Sequence, residues 1–367
     1  SFIFLNQVAY AKKMQICIYL VDKSRYYCYN FNMQRNLLES LEAWKNKKNR
    51  NPLILKGARQ TGKTFLLKEF GAKHFPKVHY FNFEKEEQLS AAFAKSLDPK
   101  NILNELSFNQ NISINTNTDL VIFDEIQYCP RALTSLKYFA EEKPQLALCS
   151  AGSLLGIQLS DVSFPVGKVD YMNLFPMSFE EFLLAIEDVK SYEFIKNMSL
   201  KDKISEIVHT HIWNQLKTYF IVGGLPAVVN TFKDKKDNLF DAFSAVREKQ
   251  HDLINTYLAD IAKHSGKINA MHVSRLWQHI PKQLAVNDNS AEKFKFKGII
   301  PGISSYNRLA NVIDWLYNAG LIIKIPIVTT SQIPLMAHTK ENYFKLFIFD
   351  VGLLGAMNNL SAKTIND

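Results

Sequence analysis

The eight residues Gly57-Ala58-Arg59-Gln60-Thr61-Gly62-Lys63-Thr64 constrain this chain more than any other feature, because of what flanks them. The apolar run Leu53 to Lys56 precedes them, and an amphipathic stretch begins at Lys63. An apolar strand, a G-x-x-x-x-G-K-[ST] loop and a helix together build an anion cradle, in which backbone N–H groups ring a phosphate and the positive end of a helix faces it. On this reading Gly57 and Gly62 let the backbone curl and approach where a Cβ would intrude. Ala58, Arg59, Gln60 and Thr61 carry the intervening amides, Lys63 reaches the β- and γ-phosphates, and Thr64 supplies an oxygen to Mg²⁺.

A second apolar run, Leu120 to Phe123, ends in two carboxylates, Asp124 and Glu125. A buried strand would deliver Asp124 to the metal, leaving Glu125 to polarise an attacking water, which with Lys63 makes the expected catalytic set. Two acidic residues after a strand also suit an ordinary helix N-terminus, favoured by its dipole. A third run, Leu146 to Cys149, leads into Ser150 and Ser153, either of which could present a hydroxyl beside the terminal phosphate; small polar residues at a strand end equally suit a turn. No Asn-Lys-x-Asp guanine reader follows these elements, since Asn46-Lys47-Lys48-Asn49 precedes the loop and lacks the Asp, so ATP is the expected nucleotide. No G-x-S-x-G or H-E-x-x-H constellation competes with this assignment.

At 367 residues the chain exceeds one typical core. Strands and helices alternate through the first half: strands 53–56, 78–83, 120–123 and 146–150, a helix from Lys63, helical stretches around 87–106, and a helix over 132–142. That pattern predicts an α/β domain, a three-layer sandwich with a mainly parallel sheet covered by helices. Ser178 and Glu181 form an S-x-x-E capping box ahead of FEEFLLAI. Beyond residue 200 the spacing becomes helical, over 202–221, 237–263, 270–285 and 304–319, the last running into the strand LIIKI. The expected division is therefore 33–197 for the nucleotide domain, 198–360 for a helical lid and C-terminal domain, and 361–367 as a tail. Residues 1–32 form an extension of doubtful nativeness, because the first clean amphipathic helix opens at Met33.

Cys17, Cys28, Cys129 and Cys149 make no CxxC pair and no zinc spacing, which fits reduced thiols in a cytoplasmic protein. The apolar opening reaches neither signal-peptide order nor membrane-spanning length, so no membrane span is expected. The formal charge of +9 suits an anionic partner.

The segments PLILKGARQTGKTFLLKEFG, FNFEK, IFDEIQYCPRALTSLKYFAEE, SAGSLLG, SFPVGKVDYMNLFPMSFEEFLLA, GGLP, NTYLADIAKH, IPKQL and KLFIFDVGLL, taken in order, resemble a large prokaryotic family of AAA-type ATPases with a C-terminal domain of unknown function. The resemblance spans about residues 33–358. It implies an additional-strand P-loop ATPase core, a lid, and a mostly helical, winged-helix-like C-terminal part. Gly223-Gly224-Leu225-Pro226 resembles the Gly-x-Pro element of signal-transducing (STAND-like) ATPases, in which the proline lies near the adenine and couples nucleotide state to domain position; two glycines and a proline also make a plain helix stop. Many relatives continue into a nuclease-like segment with acidic and lysine residues, whereas this sequence ends at Asp367, so no nuclease activity is assigned.

These readings predict a slow MgATP-hydrolysing switch whose nucleotide state moves the helical domain, with oligomerisation and a protein partner compatible with it. The alternative is a nucleic-acid-binding module that uses nucleotide as a structural ligand. Its basis is Lys293-Phe294-Lys295-Phe296-Lys297, which on a strand would place three Lys on one face toward DNA or RNA and two Phe on the other.

Overall fold

A computed structural model describes residues 33–153, 167–199, 201–286 and 293–366. The expectations for residues 1–32, and for most of the SAGSLLG segment after Ser153, lie outside the described residues.

The first half builds a five-stranded sheet in the order β2-β3-β4-β1-β5, with every neighbouring pair parallel. Its strands are β1 (Leu53–Gly57), β2 (Val78–Asn82), β3 (Leu120–Asp124), β4 (Ala147–Ser153) and β5 (Asp170–Asn173). Side chains alternate across a strand, and the apolar residues divide accordingly. Ile54, Val121, Phe123 and Leu148 pack on one face with α3 (Pro99–Gln110) and α4 (Pro130–Glu142). Leu53, Leu55, Leu120, Ile122, Ala147 and Cys149 pack on the other with α1 (Leu37–Lys45) and α2 (Lys63–His74). Burial on both faces is why these strands read as unbroken apolar runs, and it makes the expected three layers.

The helical stretches around 87–106 are a 3-10 turn, Glu87–Phe93, and α3, separated because Pro99 holds Asp98 extended, from where its carboxylate caps the Asn101 amide. β5 is an edge strand with only its inward side chains partly covered, so Asp170 to Asn173 lacks the apolar run that marks the central strands.

The C-terminal half contains α5 (Phe179–Ala185), α6 (Val189–Asn197), α7 (Glu206–Val222), α8 (Pro226–Lys235), the 26-residue α9 (Leu239–His264), α10 (Lys267–Val286) and α11 (Tyr306–Asn318). An antiparallel hairpin, β6 (Ile322–Val328) with β7 (Thr339–Ile348), and α12 (Val351–Met357) follow. Helix α8 escaped the sequence reading because Gly223-Gly224 ends one helix and Pro226 occupies the first turn of the next. The apolar core of this half also takes in Met177, Phe182, Leu183 and Ile186, so its packing begins about twenty residues before the expected boundary at 197/198.

The strand expected over Lys293 to Lys297 is not formed as a ladder: Phe294 N–H donates to the Phe344 carbonyl at 2.8 Å, while Lys295 bonds through its backbone to Gln283. Phe294 and Phe296 turn inward onto Tyr306 and Phe344 with ring centroids 5.7–6.3 Å apart, leaving the three lysines outside. Among the described residues no helix is long and apolar enough to cross a membrane.

Candidate nucleotide site

The C-terminal ends of β1, β3 and β4 meet at one edge of the sheet, with Gly57 opposite Ser153 and Phe123 opposite Ser150. In an open parallel sheet this is the edge where ligands sit. The loop after β1 closes through two left-handed residues, Gln60 (φ 62°) and Gly62 (φ 94°), and delivers Lys63 and Thr64 to the first turn of α2. Gly62 is thus a conformational requirement. At Gly57 a Cβ would lie 2.3 Å from the Leu174 carbonyl oxygen, so the glycine also admits the chain leaving β5.

Lys63 is buried, and its ammonium folds back onto the carbonyls of Gly57 (3.1 Å) and Ala58 (2.8 Å). Burial pushes it down to about 8, against the opposing pull of Glu125 and Asp124. A buried cation resting on two carbonyls inside a loop of amides is matched to an anion that neither carbonyl can supply. The Thr64 hydroxyl donates to Asp124 Oδ2 at 2.8 Å, so a hydroxyl and a carboxylate oxygen converge next to that ammonium. Two hard oxygens, with phosphate and water completing the shell, fit Mg²⁺.

Asp124 is held by groups that sequence reading missed. The Tyr80 hydroxyl donates to Oδ2 at 2.6 Å, and the Asn82 amide bonds to the Tyr80 oxygen at 3.0 Å. Both lie on β2, and of the two only Asn82 falls within the family segment FNFEK. Lys68 sits 3.6 Å over the Tyr80 ring. Glu125 has a left-handed backbone (φ 50°), and its amide donates to Asp124 Oδ1 at 3.1 Å. Its carboxylate accepts from Gln127 at 2.5 Å, and burial raises its proton affinity, the direction a water-polarising carboxylate needs.

Ser150 and Ser153 are not equivalent. Ser150 is fully buried on the face of the sheet shared with Leu148, its Oγ without a hydrogen-bond partner among the described residues, whereas Ser153 stands at the strand end beside Gly57. Two arginines near the site are already engaged: Arg131 donates to the Phe93 carbonyl at 2.6 Å, and Arg59 pairs with Asp260 of α9.

The loop is also joined to the C-terminal half. Ala58 packs in that half's apolar core, and the Tyr257 hydroxyl donates to the Arg59 carbonyl at 2.8 Å. Arg35, buried ahead of α1, donates to the Thr61 carbonyl at 2.8 Å and the Phe175 carbonyl at 2.5 Å, and pairs with Glu181 at 3.3 Å. Glu181 also closes the expected capping box with Ser178. The Pro226 ring faces Gly62, 3.5 Å from where a Cβ on that glycine would stand.

Behind Pro226, both glycines are needed: a Cβ on Gly223 would meet Asp350 at 2.4 Å, and one on Gly224 would meet the Met177 carbonyl at 2.2 Å. The buried Asp350 accepts from Gly224 N–H at 2.7 Å and from Leu353 N–H at 2.9 Å, and burial raises it to about 6. Gln250 of α9 bonds the last carbonyls of α7, Ile221 and Val222, at 2.8 and 3.0 Å.

Residues 49–183 match the family model of an AAA domain, and residues 214–364 match that of a domain of unknown function, DUF8612. Among solved structures, a Walker-type ATPase of Pyrococcus abyssi is 15% identical with a TM-score of 0.51, the match covering 88% of this chain and 94% of that one. The ORC1 protein of Aeropyrum pernix, solved in complex with DNA, is 13% identical with a TM-score of 0.34 over 88% and 90%. A STAND protein of Pyrococcus horikoshii with a tetratricopeptide repeat sensor is 13% identical with a TM-score of 0.32 over 90% and 42%. The first of these is a likeness of fold. No curated protein sequence matches the chain significantly.

Proposed function

Since this chain carries an AAA-type P-loop ATPase domain followed by a domain of unknown function, we propose that it binds MgATP and hydrolyses it slowly, as a switch that sets the position of the C-terminal helices. The observation carrying this reading is the convergence of the buried Lys63 ammonium with the Thr64–Asp124 pair at the sheet edge, inside a loop packed against the C-terminal core. ATP brings the phosphates, and Mg²⁺ offsets their charge. Lys63 and the amides from Ala58 to Thr64 bind the β- and γ-phosphates, Thr64 and Asp124 hold the metal, and Tyr80 orients the carboxylate. Glu125, kept in place by Gln127, takes a proton from water in line with the γ-phosphate.

Ser153 is the better placed of the two serines to touch the terminal phosphate, and Pro226 the contact through which the loop bears on α8. A winged-helix-like C-terminal part within 198–360, a cytoplasmic setting and a protein or nucleic-acid partner belong to the same reading. Nucleic-acid binding is the subordinate reading, because Phe294 and Phe296 are committed to the core and cannot stack bases. The test is a pair of variants assayed for ATP binding and phosphate release. Lys63→Ala is expected to abolish binding, and Glu125→Gln to bind ATP with wild-type affinity but stop turnover. Equal turnover by wild type and Glu125→Gln would remove the role given to Glu125.

A further inference from the structure

Arg59 stands in the phosphate loop, yet its side chain is spent on the C-terminal domain. Its guanidinium pairs with Asp260 through one nitrogen and lies 3.4 Å from the Tyr128 hydroxyl through another. Both partners of the pair are partly buried, at 28% and 21% exposure. Tyr257 and Asp260 are one turn apart on α9 and face the same loop residue, the first through its backbone carbonyl and the second through its charge.

These two contacts answer differently to an added anion. A neutral hydroxyl on a carbonyl is indifferent to charge nearby, so the Tyr257 contact is a pivot. The Asp260 contact is an ion pair in electrostatic reach of the site, for the Arg59 charge is felt by Lys63, and the Glu125 charge by Arg59. The grip is also single-toothed: Asp260 Oδ2 is buried and has no hydrogen-bond partner among the described residues, so the fork geometry that makes arginine–carboxylate pairs strong is not used. A triphosphate with its metal keeps a net negative charge, which both competes for the guanidinium and repels the carboxylate.

We infer that Asp260 and the terminal phosphate of ATP compete for Arg59, so that ATP binding releases the end of α9 from the loop while Tyr257 keeps it tethered. The inference rests on the reading of the loop as an ATP site. It assigns to Arg59 the contact with the transferred phosphate, and to Asp260 the part of a built-in competitor that favours the nucleotide-free arrangement. ADP, lacking that phosphate, leaves the pair closed.

Calorimetric titration of MgATP and MgADP into wild type, Asp260→Asn, Arg59→Gln and the double variant tests this, with amide exchange of residues 258–264 read in parallel. Asp260→Asn preserves shape and is expected to tighten ATP about fivefold, the worth of a partly exposed ion pair, with ADP unchanged. Arg59→Gln should weaken ATP more than ADP, and in the double variant the gain from Asp260→Asn should vanish. In wild type, ATP but not ADP should speed exchange over 258–264, and Asp260→Asn should exchange fast without nucleotide. ATP binding that depends on Lys63 but is no tighter in Asp260→Asn would overturn the competition alone. Failure of wild type to bind either nucleotide would overturn the ATP reading together with it.

Discussion

The phosphate loop and the junction behind Gly223-Gly224-Leu225-Pro226 are built from the same materials, glycines and a buried charge, but by opposite routes. In the loop the buried cation Lys63 bonds to carbonyls five and six positions away along the chain. At the junction the buried anion Asp350 bonds to Gly224, 126 positions away, and Gly224 is shaped by Met177. Among the described residues no anion bonds to the loop's charge, which on the proposed reading takes a phosphate. The junction's charge is satisfied by backbone amides and waits for nothing. Removing the loop's charge should therefore cost binding, and removing the junction's charge should cost stability.

The largest effect is expected at the junction. Asp350→Ala strands the Gly224 amide and removes the cap of α12, costing about 3 kcal/mol. That lowers the melting temperature by roughly 5–10 °C. Calorimetry should find the folded fraction still binding ATP; lost binding without lost stability would reverse the roles of the two regions.

Next comes the pH response of the loop. The Lys63 ammonium is held down to about 8 by burial, and phosphates must raise it, so the bound state carries more protons above pH 8 than the free state. ATP affinity should be flat below pH 8 and weaken by about tenfold for each unit above it, until the bound lysine also titrates. Titrations from pH 6.5 to 9.5 read this directly, and affinity that rises with pH would show that Lys63 does not meet the phosphates.

Tyr80→Phe sharpens the comparison within the site, because it deletes only the hydroxyl that orients Asp124. The Mg²⁺ concentration needed for half-maximal ATP turnover should rise about tenfold, as for other outer-shell partners of metal ligands, with little change in melting temperature. Asp350→Asn is expected to be milder than Asp350→Ala. Its oxygen keeps one of the two amide bonds while its NH2 group faces the other amide, so it should cost about 1–2 kcal/mol by denaturant unfolding at pH 7.

The same contrast explains what could be read from the chain itself. The loop, the strand-end carboxylates and the central strands were legible because each requirement is local: a left-handed Gly62, apolar runs for strands covered on both faces, a hydroxyl after Lys63. Edge strand β5 was not, since half-covered Asp170 to Asn173 has no apolar run. Arg35, Tyr257, Asp260 and Asp350 were not, because nothing near them in the chain announces a partner at 26 to 201 positions' distance. The family segments NTYLADIAKH and KLFIFDVGLL contain three of these four, yet a motif names residues without saying what they touch. The Leu174 carbonyl against Gly57 was not legible either, since it is made adjacent only by β5 pairing beside β1.

The account turns on whether the buried ammonium of Lys63 is the anchor of a nucleotide. Isothermal titration of ATP in Mg²⁺ into wild type and Lys63→Ala, with both shown to be folded by their melting transitions, decides it. Saturable binding of one ATP per chain by wild type, lost in Lys63→Ala, is the expected result. A folded wild type that takes up no ATP, or a Lys63→Ala protein that binds it equally well, would contradict the account.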